Sequence, residues 1–435
     1  MNTTMWNPAQ ETLAREELRA LQLTRLKKTV TRVFQNVPFY REKMQRAGVT
    51  PTSIASLDDL RRLPFTYKTD LRDTYPNGLF AASMSDIVRI HASSGTTGKQ
   101  TVVGYTMEDI DTWAEIMARS MGCAGVCKDS VVQISYGYGL FTGGLGAHYG
   151  AERIGATVLP TSSGNTKRQL TLLQDLNVTH LCCTPSYAML LGEALREMGS
   201  PKLALKAGVF GAEPWTEGMR TKIEELLHIE ALDVFGMSEL FGPGVAMECH
   251  EKGGLHVWED HFIAEIIDPI TEEPVPIGEK GELAITTITK QGLPLIRYRT
   301  HDITHIIEEP CACGRTHARI AKLTGRTDDM IIVRGVNVFP SQVESVITGI
   351  PEVAPHYLLV VSRDEHLDAL EIQVELMPGL FADEVRKIEA LQARIRREIE
   401  ATLGFGVAVR LMSPGAIERS EGKAKRVRDL RNLDA

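Results

Sequence analysis

Basic residues are in the minority here: 48 Lys and Arg stand against 56 Asp and Glu in 435 residues, a formal net charge of −8. Nucleic acid recognition needs a basic face, so no nucleic acid partner is expected. Apolar runs approaching the ~18 residues of a membrane span are missing, and the opening MNTTMWNPAQETLAREELRAL carries no apolar h-region. Neither secretion nor membrane insertion is therefore expected. Cysteine is sparse and odd in number, seven residues without the spacing of a disulfide framework, which points to a reducing compartment and a cytoplasmic protein. Internal repeats and long runs of like charge are absent.

A Walker A loop is missing too. HASSGTTGK (91–99) has Ser93 where the first glycine is required, and Gln100 where Ser or Thr should follow the Gly-Lys pair. What stands there is still suited to an anion. Ser93, Ser94, Gly95, Thr96, Thr97, Gly98 and Lys99 combine backbone that approaches closely with hydroxyl and ammonium donors. An acidic protein can hold phosphate on such a local cluster of N–H groups and one lysine.

The remaining pattern is that of a globular protein of two or three domains. Residues 9–35 form one amphipathic helical pattern through Leu13, Leu18, Leu21 and Leu26. Strand-like runs at 86–92, 131–135, 156–160, 178–183 and 229–235 alternate with helical patterns, predicting an α/β domain with a largely parallel sheet wrapped by helices. From about 254 to 325 short strands crowd together as a β-rich subdomain, and residues 326–435 read as a small α+β module. The expected boundary lies at 325/326.

Further motifs follow the 93–99 loop in order: GAEPW (211–215), DVFGMSE (233–239), IRYRTHD (296–302), GRTDDMIIVRGVNVFPSQVE (325–344) and RSEGKAKR (419–426). Together they resemble the adenylate-forming superfamily. The run SYGYGLFTGGLGAHYGAERIGATVLP (135–160), with FGMSELFGPG and RGVNVFPSQVE, is similar to the phenylacetate–CoA ligases over nearly the whole chain. The ribose motif departs in one place, with His301 where most superfamily members have Gly, but Asp302 is kept.

This resemblance implies ATP, Mg²⁺ and coenzyme A as the small molecules used with an aryl acid, and leaves a homodimer open. It implies that the 93–99 loop holds phosphates, with Lys99 among the catalytic residues. Gly211, Ala212, Glu213 and Pro214 would border the adenine. In the segment Asp233, Phe235, Gly236, Met237, Ser238 and Glu239, Phe235 flanks the adenine and Glu239 assists Mg²⁺. Asp302 would bind the ribose and Arg326 lie near the nucleotide. Asp328 is the implied hinge of a mobile C-terminal domain, Gly335 borders the pantetheine channel, and Lys423 contacts the acyl-adenylate. The aromatic and glycine-rich stretch Tyr136, Tyr138, Phe141, Gly143 and Gly144, directly after a strand, suits a flat ring as the acid pocket.

Two readings compete with transfer to coenzyme A: loading of a carrier-protein thiol, and noncatalytic nucleotide binding. The second is disfavoured by the presence of both Glu239 and Lys423. Among aryl acids, phenylacetate, hydroxyphenylacetate, benzoate and indoleacetate all remain open.

Separately, Cys249 with His256 and Cys311 with Cys313 form two short clusters of soft and borderline donors, able to close a tetrahedral zinc shell. His250 and His317 are alternatives to His256. Cys123, Cys127, Cys182 and Cys183 read as small buried hydrophobes.

Overall fold

The computed structural model describes residues 5–93, 100–323, 325–326, 331–334, 336–364, 367–379, 385–420 and 424–431. The chain divides into two compact units: Met1–Cys183, Pro201–Ala212 and Ile229–Lys322 form the first, and Thr184–Ser200, Glu213–His228 and Leu323–Ala435 the second.

A nine-stranded sheet organises the first unit. Its parallel half runs Thr157–Leu159, Val131–Ile134, His180–Cys183, Ala207–Gly211 and Glu230–Met237 in spatial order. The sheet continues antiparallel through Gly242–Glu248, Leu255–Val257, Arg319–Ile320 and Ile306–Ile307. The expected α/β architecture is thus present, with parallel pairing confined to the half built from βα units. The switch in direction at Gly242 follows from a tight return after Glu230–Met237, where a Cβ at Gly236 would lie 1.9 Å from the Gly242 carbonyl oxygen. Only glycine allows the backbones this close.

Strand Arg89–Ala92 stays out of this sheet. It pairs antiparallel with Val102–Tyr105, bringing residues 92 and 102 opposite each other at the base of the 93–99 loop. The helical pattern expected over 9–35 is broken in two, as Pro8–Glu11 and Arg15–Asn36. The break follows from tertiary demand on Glu11: its carboxylate is fully buried and accepts from Arg315 Nε at 2.7 Å, while its carbonyl accepts the Thr316 N–H. Phe262–Ile267, Gly281–Thr287 and Tyr298–Thr304 form the antiparallel β-rich layer. No helix among the described residues is long and apolar enough to cross a membrane.

In the second unit the strands Ala408–Met412, Leu367–Leu376, Val353–Asp364 and Val427–Asp429 make a mixed sheet. Helices Pro340–Thr348 and Val385–Leu403 cover it. Leu391, Ile395, Ile399 and Leu403 recur every four residues and bury one stripe against Leu359, Ile372 and Val374, the apolar face that an amphipathic helix needs.

Candidate active site and cysteine–histidine cluster

The motif residues of the first unit gather beyond the carboxyl ends of the parallel strands, where open α/β sheets place their ligands. Val131–Ile134 leads to Tyr136 and Tyr138, Ala207–Gly211 ends at Ala212, and Glu230–Met237 carries Asp233, Phe235 and Gly236 and runs into Ser238 and Glu239. Ala212 takes a left-handed backbone, φ 71°. Ser93 closes the base of the loop: its N–H donates to the Thr101 carbonyl at 3.0 Å, and its Oγ accepts the Thr101 N–H at 3.3 Å. Ser94, Gly95, Thr96, Thr97, Gly98 and Lys99 lie outside the described residues, as do Asp328, Gly335 and Lys423. Arg326 is described in its backbone alone, in the strand Gly325–Arg326.

The stretch expected to receive the acid is tied to its neighbours on both sides. The Leu140 carbonyl accepts the Ala92 N–H at 3.0 Å, which fixes it to the strand preceding the 93–99 loop. Thr142 Oγ1 and Ser238 Oγ lie 3.0 Å apart, which fixes it to the Glu239 turn. Tyr136 is buried; Tyr138 is half-buried with its hydroxyl 3.2 Å from His148 Nδ1. Burial pushes the Tyr138 phenol above its ordinary range. Phe141 is exposed, and Gly143 and Gly144 open the helix Gly143–Ile154.

Glu239 is buried, and its carboxylate accepts from Tyr298 Oη at 3.3 Å. Its backbone is held by groups that the motifs did not flag. Lys290, buried to 1% exposure, donates to the Glu239 carbonyl at 3.0 Å. The ammonium lies 4.4 Å from the Tyr105 ring centre and 5.0 Å from that of Phe241, a cation between two aromatic faces. Tyr105 Oη donates to the Ser238 and Phe241 carbonyls, each at 3.0 Å. Burial pulls Lys290 down to about 7, against the pull of Asp109 and Glu239 in the opposite direction. The one available signal was a lone lysine between two apolar runs, in AITTITKQGLPLI. Tyr298 lay inside a recognised motif but carried no assigned role. Asp302 is buried on Tyr298–Thr304, its N–H donating to Thr300 Oγ1 at 3.1 Å.

In the second unit Glu213 is half-buried. Its carboxylate accepts the Ser186 N–H at 2.7 Å through Oε1 and the Ala424 N–H at 2.9 Å through Oε2. Pro214 is exposed beside it.

Two family models match the chain: AMP-binding enzyme over residues 11–289, and AMP-binding enzyme C-terminal domain over residues 335–431. A phenylacetate-coenzyme A ligase of Thermus thermophilus is 51% identical over 443 residues, covering 98% of this chain and 100% of its own. The chain belongs to the phenylacetate–CoA ligase family. A second member, the phenylacetate-coenzyme A ligase of Aromatoleum evansii, is 50% identical and covers 97% of this chain and 96% of its own. Among solved structures, 2-hydroxyisobutyryl-CoA ligase in the postadenylation state with R3-HIB-AMP superposes with a TM-score of 0.91. It is 28% identical over 98% of this chain and 92% of its own.

This family member also assembles the cysteine–histidine cluster. Cys249, His256, Cys311 and Cys313 place one ligand atom each within 4.8 Å of one another. The Cys249 and Cys311 sulfurs are 3.6 Å apart, and Cys313 Sγ is 3.4 Å from His256 Nε2. These separations exceed a disulfide bond and approach the ~3.7 Å edge of a tetrahedron built on zinc–sulfur bonds of about 2.3 Å. Of the three candidate histidines, only His256 enters the cluster. His317 accepts the Glu259 N–H at Nδ1 and donates from Nε2 to the Gln10 carbonyl, and His250 pairs with Glu251. His256 Nδ1 lies 3.2 Å from the His317 carbonyl, which fixes the ring with Nε2 inward. Hydrogen bonds from Cys249 and then His256 draw the Cys313 thiol far down, while Cys249 is pushed up by the same Cys313 bond. Thiolate is the form of cysteine that takes a metal.

Proposed function

We propose that this AMP-forming acid–CoA ligase joins phenylacetate to coenzyme A at the expense of ATP, through a phenylacetyl-adenylate. The observation that carries the reading is the 51% identity to a phenylacetate-coenzyme A ligase across 98% of the chain. A carboxylate is a poor acyl donor because its leaving group is oxide. Attack of the carboxylate oxygen on the α-phosphorus of ATP gives a mixed anhydride and releases pyrophosphate, and the protein's part is positioning and charge stabilisation.

The 93–99 loop holds the β- and γ-phosphates. Phe235 flanks the adenine beside Gly211 and Ala212, and Asp302 takes the ribose hydroxyls. Glu239 offers the hard oxygen donor that Mg²⁺ requires, and bound Mg²⁺ supplies neutralisation of phosphate charge. Tyr298, Lys290 and Tyr105 hold the Glu239 turn, while Tyr136, Tyr138 and Phe141 enclose the aryl ring. Lys423 stabilises charge at the α-phosphate. Rotation of the C-terminal domain about Asp328 then replaces Lys423 by the Gly335 face for thiol attack. The reduced cysteines fit a cytoplasmic setting.

An acid panel tests the substrate. Pyrophosphate release should be fastest with phenylacetate, and thioester should appear with coenzyme A. A preference for benzoate or indoleacetate would move the assignment within the aryl acids, and pyrophosphate release without any thioester would favour a carrier-protein thiol as acceptor.

Zinc is the metal proposed for Cys249, His256, Cys311 and Cys313. Its expected role is to bind the loop carrying Cys311 and Cys313 to the neighbouring strands. Protein purified without chelator should contain about one equivalent of zinc, and a strong chelator should lower its melting temperature because metal binding is linked to folding. Metal analysis that finds no zinc in such protein rules the assignment out.

A further inference from the structure

We propose that Glu213 is a positioning residue for adenylation, a carboxylate clamp that fixes the backbone beside Lys423. This rests on the assignment of Lys423 given above and extends it to a residue whose motif pointed instead to the adenine.

The geometry is specific. Ser186 is the second residue of the helix Pro185–Glu197, so its N–H has no acceptor within the helix and points out of the N-terminus. Glu213 Oε1 accepts that N–H at 2.7 Å, where the helix dipole also favours a negative charge. The second oxygen accepts the N–H of Ala424 at 2.9 Å. Ala424 directly follows Lys423 in the chain. One carboxylate therefore ties the lysine's neighbour to a helix end, through two charge-assisted bonds.

A second tie lies just beyond. Arg426 Nη2 donates to Ser186 Oγ at 3.4 Å, and its guanidinium lies 4.5 Å from the Tyr357 ring centre. The buried Glu344 accepts the Thr216 N–H at 3.0 Å and the Tyr357 hydroxyl at 3.1 Å. Residues 424–426 are thus anchored to segments 184–186 and 213–216, and among the described residues Glu213 holds the one that follows the lysine. A lysine side chain has four rotatable carbons and little intrinsic order. Holding the adjacent peptide removes much of the freedom that would otherwise be lost when the ammonium meets the α-phosphate.

Glutamine at 213 keeps the shape but has a single acceptor oxygen. Its NH₂ group would confront either the Ser186 or the Ala424 N–H. With the full chain, ATP and phenylacetate, Glu213→Gln should lower kcat for pyrophosphate release about tenfold. KM for ATP should stay near that of the parent. Thioester formation from preformed phenylacetyl-adenylate and coenzyme A should be unchanged, which also reports that the variant is folded. A rise in KM for ATP with kcat preserved would make Glu213 a nucleotide contact and overturn the proposal, as would equal loss in both half-reactions. Lys423→Ala run in parallel separates the two levels. If that variant loses pyrophosphate release while Glu213→Gln behaves as the parent, only the clamp fails. If Lys423→Ala keeps full pyrophosphate release, the lysine assignment and the clamp fall together.

Discussion

Lys423→Ala is expected to lower ATP-dependent pyrophosphate release by about 10²–10³-fold, the cost of removing one preorganised group from a transition state that develops charge. Thioester formation from preformed phenylacetyl-adenylate should be nearly unaffected. The asymmetry follows from the role proposed for the ammonium, which meets the α-phosphate during adenylation and leaves the site before the thiol attacks. Lys425→Ala is the control, because Lys425 stands in the same RSEGKAKR segment and carries the same charge. Uniform loss of both half-reactions in Lys423→Ala would show a general role in folding or nucleotide binding. A full loss in Lys425→Ala alone would transfer the catalytic assignment to that residue.

The second large effect is expected at Asp328. A hinge that exchanges one wall of a site for another requires a few residues to absorb a large change in backbone dihedrals. Proline fixes φ near −65° and removes the N–H, so Asp328→Pro should hold the C-terminal domain in one orientation. Pyrophosphate release should persist, since adenylation needs only that orientation. Thioester formation should fall ~100-fold or more, as expected for a backbone penalty of about 3 kcal/mol placed on one of two states. Rapid-quench measurement of each half-reaction decides the matter. Parallel loss of both steps, or no loss in either, would leave GRTDD as a static linker.

These two variants and Glu213→Gln address different parts of one cycle. Lys423 and Glu213 bear on the first half-reaction, Asp328 on the passage to the second. If all three behave as expected, the double variant Glu213→Gln/Lys423→Ala should be no slower in adenylation than Lys423→Ala alone. A clamp that acts only through the lysine has nothing left to position once the lysine is gone, and coupled residues are non-additive in this way.

What the sequence determined by itself was the chemistry that depends on consecutive residues. A run of small hydroxyl residues and glycines ending in Lys99, a Phe-Gly-Met-Ser-Glu turn and the pairs Cys249/His256 and Cys311/Cys313 are each local, so their identity and spacing are visible without a fold. Helical and strand periodicities are local too, and the α/β alternation of the large domain and the α+β character of the C-terminal residues were legible for that reason.

Pairings between distant residues were left to the tertiary structure. Nothing near Glu213 in sequence announces that its carboxylate meets the N–H of Ala424, 211 residues away. Lys290 looked like a lysine between apolar runs until the fold placed Tyr105 and Phe241 around it. His256 was the histidine expected from the sequence, with His250 and His317 as alternatives of the same donor chemistry. The fold bears out His256 because its strand pairs with Arg319–Ile320, just beyond the Cys311–Cys313 turn, and because His317 is engaged by Glu259 and Gln10. The turn from parallel to antiparallel pairing after Met237, and the helix break that lets Glu11 reach Arg315, belong to the same class. A side chain's hydrogen-bonding capacity is set by its own atoms, whereas the partner that satisfies it, and the burial that shifts a lysine to about 7, are set by which segments the topology brings together.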